Sequence, residues 1–126
     1  MNELHQRIEQ QYGSETGRLF YRTVMGDGGF DIHYGLYGPD CTRMRDATEA
    51  ATLRLHQLAQ SCAGQTEFQR VVDLGSGRGG SSHRLAMRGY LVTCVDLCAS
   101  HHAENLDRAG ALEVADRIST WCGHFE

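Results

Sequence analysis

VVDLGSGRGG at 71–80 decides the fold: a short apolar run carries an acidic residue near its end and opens into four glycines, Gly75, Gly77, Gly79 and Gly80. A β-branched run, a glycine-rich turn and then the helix-like SSHRLAMR at 81–88 predict a strand that passes into a helix through a tight loop. Glycine belongs in such a loop because it reaches positive φ without a Cβ penalty and lets a ligand approach the backbone. Downstream, Leu91–Asp96 is a second apolar, β-branched run, residues 100–108 are helical in pattern before Gly110, and Ile118–Cys122 alternates as a third strand. Strands alternating with helices of this length predict βαβ units and a parallel sheet, one half of a doubly wound α/β fold.

Upstream, residues 2–24 read as helical, with Leu4, Ile8 and Tyr12 at i, i+4 spacing, a break near Gly13 and Ser14, and a second segment carrying Leu19, Phe20 and Val24. Residues 25–41 form a glycine- and aromatic-rich loop. From Thr42 to about Cys62, Met44, Ala47, Ala51, Leu55 and Leu58 mark one face of a helix that Gly64 can close. That stripe is expected to be core. The division expected is a helical cap and lid at 1–64 and the strand-bearing domain at 65–126.

The chain has 126 residues, 40% of them apolar, which allows one compact unit. Its 12 basic residues are all arginine, set against 16 acidic ones. Without lysine there is no Walker A loop, Schiff-base chemistry or lysine general base. A net charge of −4 argues against a binder of the nucleic-acid backbone, which wants a basic face. Cys41, Cys62, Cys94, Cys98 and Cys122 are odd in number and lack CxxC spacing, so they read as buried small hydrophobes in a reducing compartment. His101 and His102 near Cys98 invite a metal reading, but a helix start beside a nucleoside site explains them as well, and no metal is expected. The N-terminus MNELHQRIEQQY is too polar for a signal peptide, and no run approaches ~18 apolar residues, so no membrane association and a cytoplasmic location are expected.

The glycine spacing also fits the dinucleotide fingerprint GxGxxG through Gly75, Gly77 and Gly80. Asp73 separates the ligands. A carboxylate two residues before the first glycine repels the pyrophosphate of NAD or FAD but attracts the ammonium and sulfonium of S-adenosylmethionine, by about 4 kcal/mol at ~4 Å and an effective dielectric near 20. Asp96 closes the second strand, where an acidic side chain can accept hydrogen bonds from both ribose hydroxyls. Gly123, His124 and Phe125 follow the third strand, placing a polar reader and an aromatic ring for a purine.

Together, VVDLGSGRGG, VTCVDL at 92–97 and ISTWCGHFE at 118–126 resemble the first three motifs of class I S-adenosylmethionine-dependent methyltransferases, with their Rossmann-like sheet. FYRTVMGDGGFDIHYGLY upstream, with DATEAATLRL, is similar to the N-terminal cap of the sarcosine/dimethylglycine N-methyltransferase family, which makes glycine betaine. Looser versions occur in methyltransferases for sugars, sterols and phosphoethanolamine. The resemblance implies S-adenosylmethionine as cofactor and a small-molecule amine as acceptor. By position, Asp73, Gly75, Gly77 and Gly79 hold the methionine part, Asp96 the ribose, and His124 with Phe125 the adenine, with Leu97 also among the cofactor-binding residues. Tyr21, His33, Gly35 and Tyr37 match the cap motif, Tyr21 over the cofactor and His33 and Tyr37 towards the acceptor.

The same resemblance implies that the chain stops about halfway through such an enzyme, leaving the first strand with an open apolar edge available for self-association. The 126 residues alone are then expected to be inactive. Methyl transfer is an in-line displacement on an activated methyl group, so positioning supplies the catalysis and no side chain is assigned as catalytic. Arg78 is expected to face solvent. An NAD- or FAD-binding enzyme and a non-catalytic S-adenosylmethionine-binding module are the competing readings.

Overall fold

The computed structural model describes residues 3–63 and 69–124. At its centre are three parallel strands in the order β1 (Arg70–Leu74), β2 (Leu91–Asp96), β3 (Ile118–Cys122). The register sets Val71 beside Val92 and Val92 beside Ile118, with Leu74, Val95 and Trp121 in line farther along. Helix α4 (Gly80–Ala86) links β1 to β2 and helix α5 (Ala99–Ala111) links β2 to β3. These crossovers make the Rossmann-like arrangement that the strand and glycine pattern predicts.

The N-terminal segment folds as two short helices, α1 (Glu3–Ile8) and α2 (Glu15–Phe20), each running into a π-helical turn, Glu9–Gly13 and Tyr21–Met25. Ser14 separates them, its hydroxyl accepting the Gly17 N–H at 3.1 Å as an N-cap. A loop leads on to α3 (Met44–Ala63), which packs beside α4. Thr52 Oγ1 and Ser81 Oγ, 3.0 Å apart, tie these two helices together. Asp31 anchors the loop: its buried carboxylate pairs with Arg84 of α4 and accepts from Thr48 Oγ1 of α3 at 3.4 Å. Burial alone raises its pKa, but His33 and Arg84 more than offset that and hold it below the usual carboxylate value.

The core lies on one face of the sheet. Val92, Cys94 and Ile118 meet Ala86 of α4, Ala109 of α5 and Val114. On the opposite face, Val72, Leu74 and Trp121 are 61%, 55% and 54% exposed, while Val95, set between Leu74 and Trp121 in the register, is 4% exposed. The described residues therefore form a sheet with helices on one side only, with β1 at a free edge.

Three sequence expectations need correction. The α3 stripe is not core along its length: Ala47 is buried, but Leu55 and Leu58 are exposed because α3 overhangs the free edge of β1, where nothing described covers it. The cysteines are not uniformly buried, since only Cys94 and Cys98 are, Cys62 and Cys122 being exposed and Cys41 intermediate; all five are free thiols. Helix α5 runs through Gly110 and ends at Ala111, with Glu113 taking the left-handed φ of 58° and Val114 N–H returning to Ala109 O. Glu113 thus fills the C-terminal role that glycine usually takes. Gly64, expected to close α3, lies outside the described residues. Among the described residues, no helix is long and apolar enough to cross a membrane.

The one-sided core makes a contrast that urea denaturation can measure. Val92→Ala removes two buried methyl groups and is expected to cost about 2 kcal/mol. Val72→Ala, on the bare face, is expected to change stability by less than about 0.5 kcal/mol. Equal losses would contradict the one-sided arrangement.

Candidate functional site

The glycine loop between β1 and α4 is held from the end of β2. Val95 O accepts the N–H groups of Gly75 at 2.8 Å and Ser76 at 3.0 Å, and Asp96 Oδ2 accepts Gly77 N–H at 2.8 Å. Gly79 N–H closes the turn onto Ser76 O at 2.9 Å. Gly75, Gly77 and Gly79 have φ of 73°, 52° and 83°, the left-handed values for which the sequence supplies glycine. At Gly79 space is limiting as well, because a Cβ there would lie 2.5 Å from the buried Asn105 side chain.

Asp96 serves two elements at once. Its Oδ1 accepts Cys98 N–H at 2.8 Å at the start of α5. His101, one turn into α5, brings Nδ1 to 3.4 Å from the same oxygen, at ion-pair distance but without hydrogen-bond geometry. Burial works against the imidazolium, yet Asp96 and the Cys98 sulfur outweigh it and push the His101 pKa up to about 10. Asp96 moves the other way: burial raises its pKa, but His101 and the N–H groups of Cys98 and Gly77 pull it below the usual carboxylate value.

Above this end of the sheet is a cavity of about 210 Å³ that brings together Gly75, Gly77, Asp96 and Leu97 from the strand ends with His101 from α5. Ile8 and Tyr12 from the N-terminal segment and Ile32 from the loop before α3 close its other side. Tyr12 stacks on Tyr21 with centroids 5.0 Å apart, so Tyr21 supports a lining residue from behind. Glu9 docks this segment: its carboxylate accepts Ala99 N–H at 2.5 Å and Ser100 Oγ at 3.4 Å, at the positive end of the α5 dipole.

The other expected site residues lie apart from this cavity. Asp73 lines a second, apolar cleft of about 530 Å³ between α3 and β1, together with His33, and its Oδ2 accepts the Ser82 hydroxyl at 2.6 Å. Gly79 faces Asn105 rather than the cavity. His124 is exposed and meets His5 edge to face at 5.3 Å, Tyr37 is 58% exposed, and Phe125 lies outside the described residues. His33 Nε2 is 3.3 Å from both Asp31 Oδ1 and Ser81 Oγ, while Nδ1 faces Tyr34 O at 2.9 Å. With one nitrogen serving both partners, this group is no Ser-His-Asp relay.

Ile8, Tyr12, Ile32 and His101 were not expected as lining residues. Ile8 and Tyr12 do stand on the apolar stripe of the first helix, so the stripe itself was the available signal, read as packing. Arg78 is corrected outright: it is 4% exposed, not solvent-facing, because the turn carries its side chain under α2 and against Glu104 of α5.

No protein-family model matches the chain. It is 27% identical over 121 residues to a sarcosine/dimethylglycine N-methyltransferase of Aphanothece halophytica, covering 95% of this chain and 42% of that protein. It is 33% identical over 119 residues to a glycine/sarcosine/dimethylglycine N-methyltransferase of Actinopolyspora halophila, covering 91% of this chain and 20% of the relative. A crystal structure of a proposed sarcosine dimethylglycine methyltransferase from Galdieria sulphuraria superposes with a TM-score of 0.74 at 26% identity, covering 90% of this chain and 42% of that one. The resemblance read from the motifs therefore holds, and it holds to part of each relative: the chain spans less than half the length of these proteins.

The Asp96–His101 pair sets a pH dependence. A pKa raised to about 10 from an unfolded value near 6.5 contributes stability that is fully present below about pH 6.5 and is lost as pH rises through about 10. The His101 ring is thus expected to remain an imidazolium at pH 8 by nitrogen NMR, and His101→Gln to flatten the alkaline loss of stability. A midpoint near the ordinary histidine value would contradict the pairing.

Proposed function

We propose that the chain forms the cofactor-binding part of an S-adenosylmethionine-dependent methyltransferase whose acceptor is a small amine such as sarcosine or dimethylglycine. One observation carries the cofactor class: the N–H groups of Gly75, Ser76, Gly77 and Gly79 are already satisfied within the protein. A dinucleotide-binding loop offers such donors to a pyrophosphate. Here four N–H groups of the loop are paired within the protein and the Asp96 carboxylate of β2 lies beside them, a surface suited to a nucleoside without phosphate.

The lining residues fit that group. Each Asp96 oxygen accepts one backbone N–H and keeps a lone pair, enough to receive two ribose hydroxyls. Leu97, Ile8 and Ile32 supply apolar walls, and the Tyr12 ring, backed by Tyr21, supplies an aromatic one for a purine. The volume of about 210 Å³ is below the ~300–1,000 Å³ of whole-ligand pockets, so it suits the nucleoside portion. Asp73, two residues before Gly75, lines the apolar cleft that also holds His33, and this cleft would take the charged methionine end and the acceptor. S-Adenosylmethionine supplies an electrophilic methyl group on sulfonium.

For their part, the protein groups bind, orient and exclude water. Asp96 fixes the ribose, the Glu9 contact with α5 keeps Ile8 and Tyr12 over the cavity, and the apolar cleft holds the acceptor nitrogen where its lone pair can align with the methyl group. In this reading residues 1–64 act as the cap, with His33 and Tyr37 on the acceptor side, and residues 65–126 as the sheet domain. The relatives named for sarcosine and dimethylglycine support that acceptor class. Transfer itself would need the segments that those longer proteins possess beyond the matched part. The free edge of β1, where Val72 and Leu74 are exposed, supports self-association.

Calorimetric titration tests the reading. S-Adenosylmethionine is expected to bind the chain and NAD not to bind. Losing two hydrogen bonds through Asp96→Ala is expected to weaken S-adenosylmethionine binding by about tenfold or more, and Tyr12→Ala, which leaves the loop intact, to weaken it as well. Binding of NAD in preference to S-adenosylmethionine would refute the proposal. Methyl transfer to sarcosine and dimethylglycine by a full-length relative carrying this segment tests the acceptor.

A further inference from the structure

The glycine loop has a second side, remote from the cofactor cavity. There the Arg78 side chain lines a cavity of about 530 Å³ between α2, Phe30 and α5, together with Arg18, Arg22 and Arg108. Four of the protein's twelve basic residues meet at this one place. We propose that this cavity is a binding site for a small organic phosphate.

The charge arrangement is the first reason. Glu104 is shared by two guanidiniums, accepting from Arg18 Nη1 at 3.1 Å and lying 3.8 Å from Arg78 Nη1. Arg22 and Arg108 form no ion pair among the described residues. Arg78 is 4% exposed, and its Nη2 is buried without any hydrogen-bond partner. A buried guanidinium held by one long contact is undercompensated, since its water has been removed and little replaces it. Burial lowers the Arg78 pKa first, Glu104 opposes that, and Arg22 and Arg18 add repulsion.

Glu15 and Asp107 also border the cavity, so four guanidiniums stand against three carboxylates, 4 − 3 = +1. Glu15, Asp107 and Arg22 are all exposed and screened by water, whereas Arg78 is buried and Arg108 half-buried, so the cations dominate inside. One guanidinium fork satisfies one carboxylate. Two unpaired guanidiniums beside an undercompensated third exceed that capacity and match a doubly charged phosphate with its larger set of acceptor oxygens.

The second reason is size and lining. A cavity of about 530 Å³ falls within the ~300–1,000 Å³ range of small-molecule sites and far exceeds what inorganic phosphate needs. Leu19 and Phe30 give it apolar wall. The guanidinium carbons of Arg108 and Arg78 stand 4.5 Å and 5.6 Å from the Phe30 ring centre, so the ring holds both cations in place. The ligand expected is therefore a phosphate ester with a compact organic body.

Titration calorimetry of the whole chain at fixed ionic strength, with no S-adenosylmethionine present, tests this. Phenyl phosphate is expected to bind saturably, and more tightly than inorganic phosphate or benzoate. Arg22→Gln and Arg108→Gln are each expected to weaken phenyl phosphate by about tenfold or more, as loss of charged hydrogen bonds implies. Arg54→Gln, which removes the same charge from the exposed face of α3, is expected to leave it unchanged. Arg22 is exposed, so its variant is expected to keep the wild-type melting temperature and report on binding alone. Equal heats for benzoate and phenyl phosphate, or equal losses in Arg22→Gln and Arg54→Gln, would overturn the proposal. The cofactor cavity shares no lining residue with this one, so failure here leaves the methyltransferase reading standing.

Discussion

A single carboxylate holds the functional end of this fold together. Asp96 ends β2, and with one oxygen it takes Gly77 N–H of the glycine loop, with the other Cys98 N–H at the start of α5. The loop after β1 and the helix after β2 are thereby fixed to each other through one side chain. His101 then places a cation beside that carboxylate, which keeps it ionised and in position within a partly buried site. Remove the carboxylate and the N–H of Gly77 and that of Cys98 both lose their partner, so the cavity floor and the helix start loosen together.

Periodicity made the sheet readable: β1, β2 and β3 fall where the β-branched runs and glycine stops put them, and their parallel order follows from the intervening helices. What could not be read is where neighbours are missing. Leu55 and Leu58 have helical core spacing, yet spacing reports only that residues share a face of α3, and this face overhangs a strand edge with nothing described against it. Arg78 failed for the opposite reason. An arginine in a polar loop is ordinarily solvated, and only the path of the turn beneath α2 reveals that it is buried.

The site was legible in the same uneven way. Gly75, Gly77, Asp96 and Leu97 were identified from a local motif, and the fold brings all four to one cavity. Ile8, Tyr12 and Ile32 reach it from 43 or more positions upstream of Gly75 (75 − 32 = 43), the first two through a docking contact between Glu9 and α5 and Ile32 through the loop that Asp31 anchors, and no local pattern encodes either contact. Asp73, read as the residue that selects the cofactor, instead faces the cleft beside α3 and is held there by Ser82.

With Asp73 turned into that cleft, the backbone of the loop bears on the choice of ligand more directly than this side chain does. A carboxylate near a binding loop repels pyrophosphate by an amount that water and distance reduce, so it biases the choice without deciding it. Backbone donors are less forgiving, because a phosphate oxygen that arrives at an N–H already bonded to Val95 O or Asp96 must break that bond while losing its own water. Three donors of the five-residue turn at 75–79 are committed in this way and Gly79 N–H is committed to Ser76 O, while the same turn sends its one cation out through the far side. The loop therefore separates two chemistries across its thickness: a carboxylate and paired backbone facing the cavity at the strand ends, and guanidinium facing the arginine-lined one.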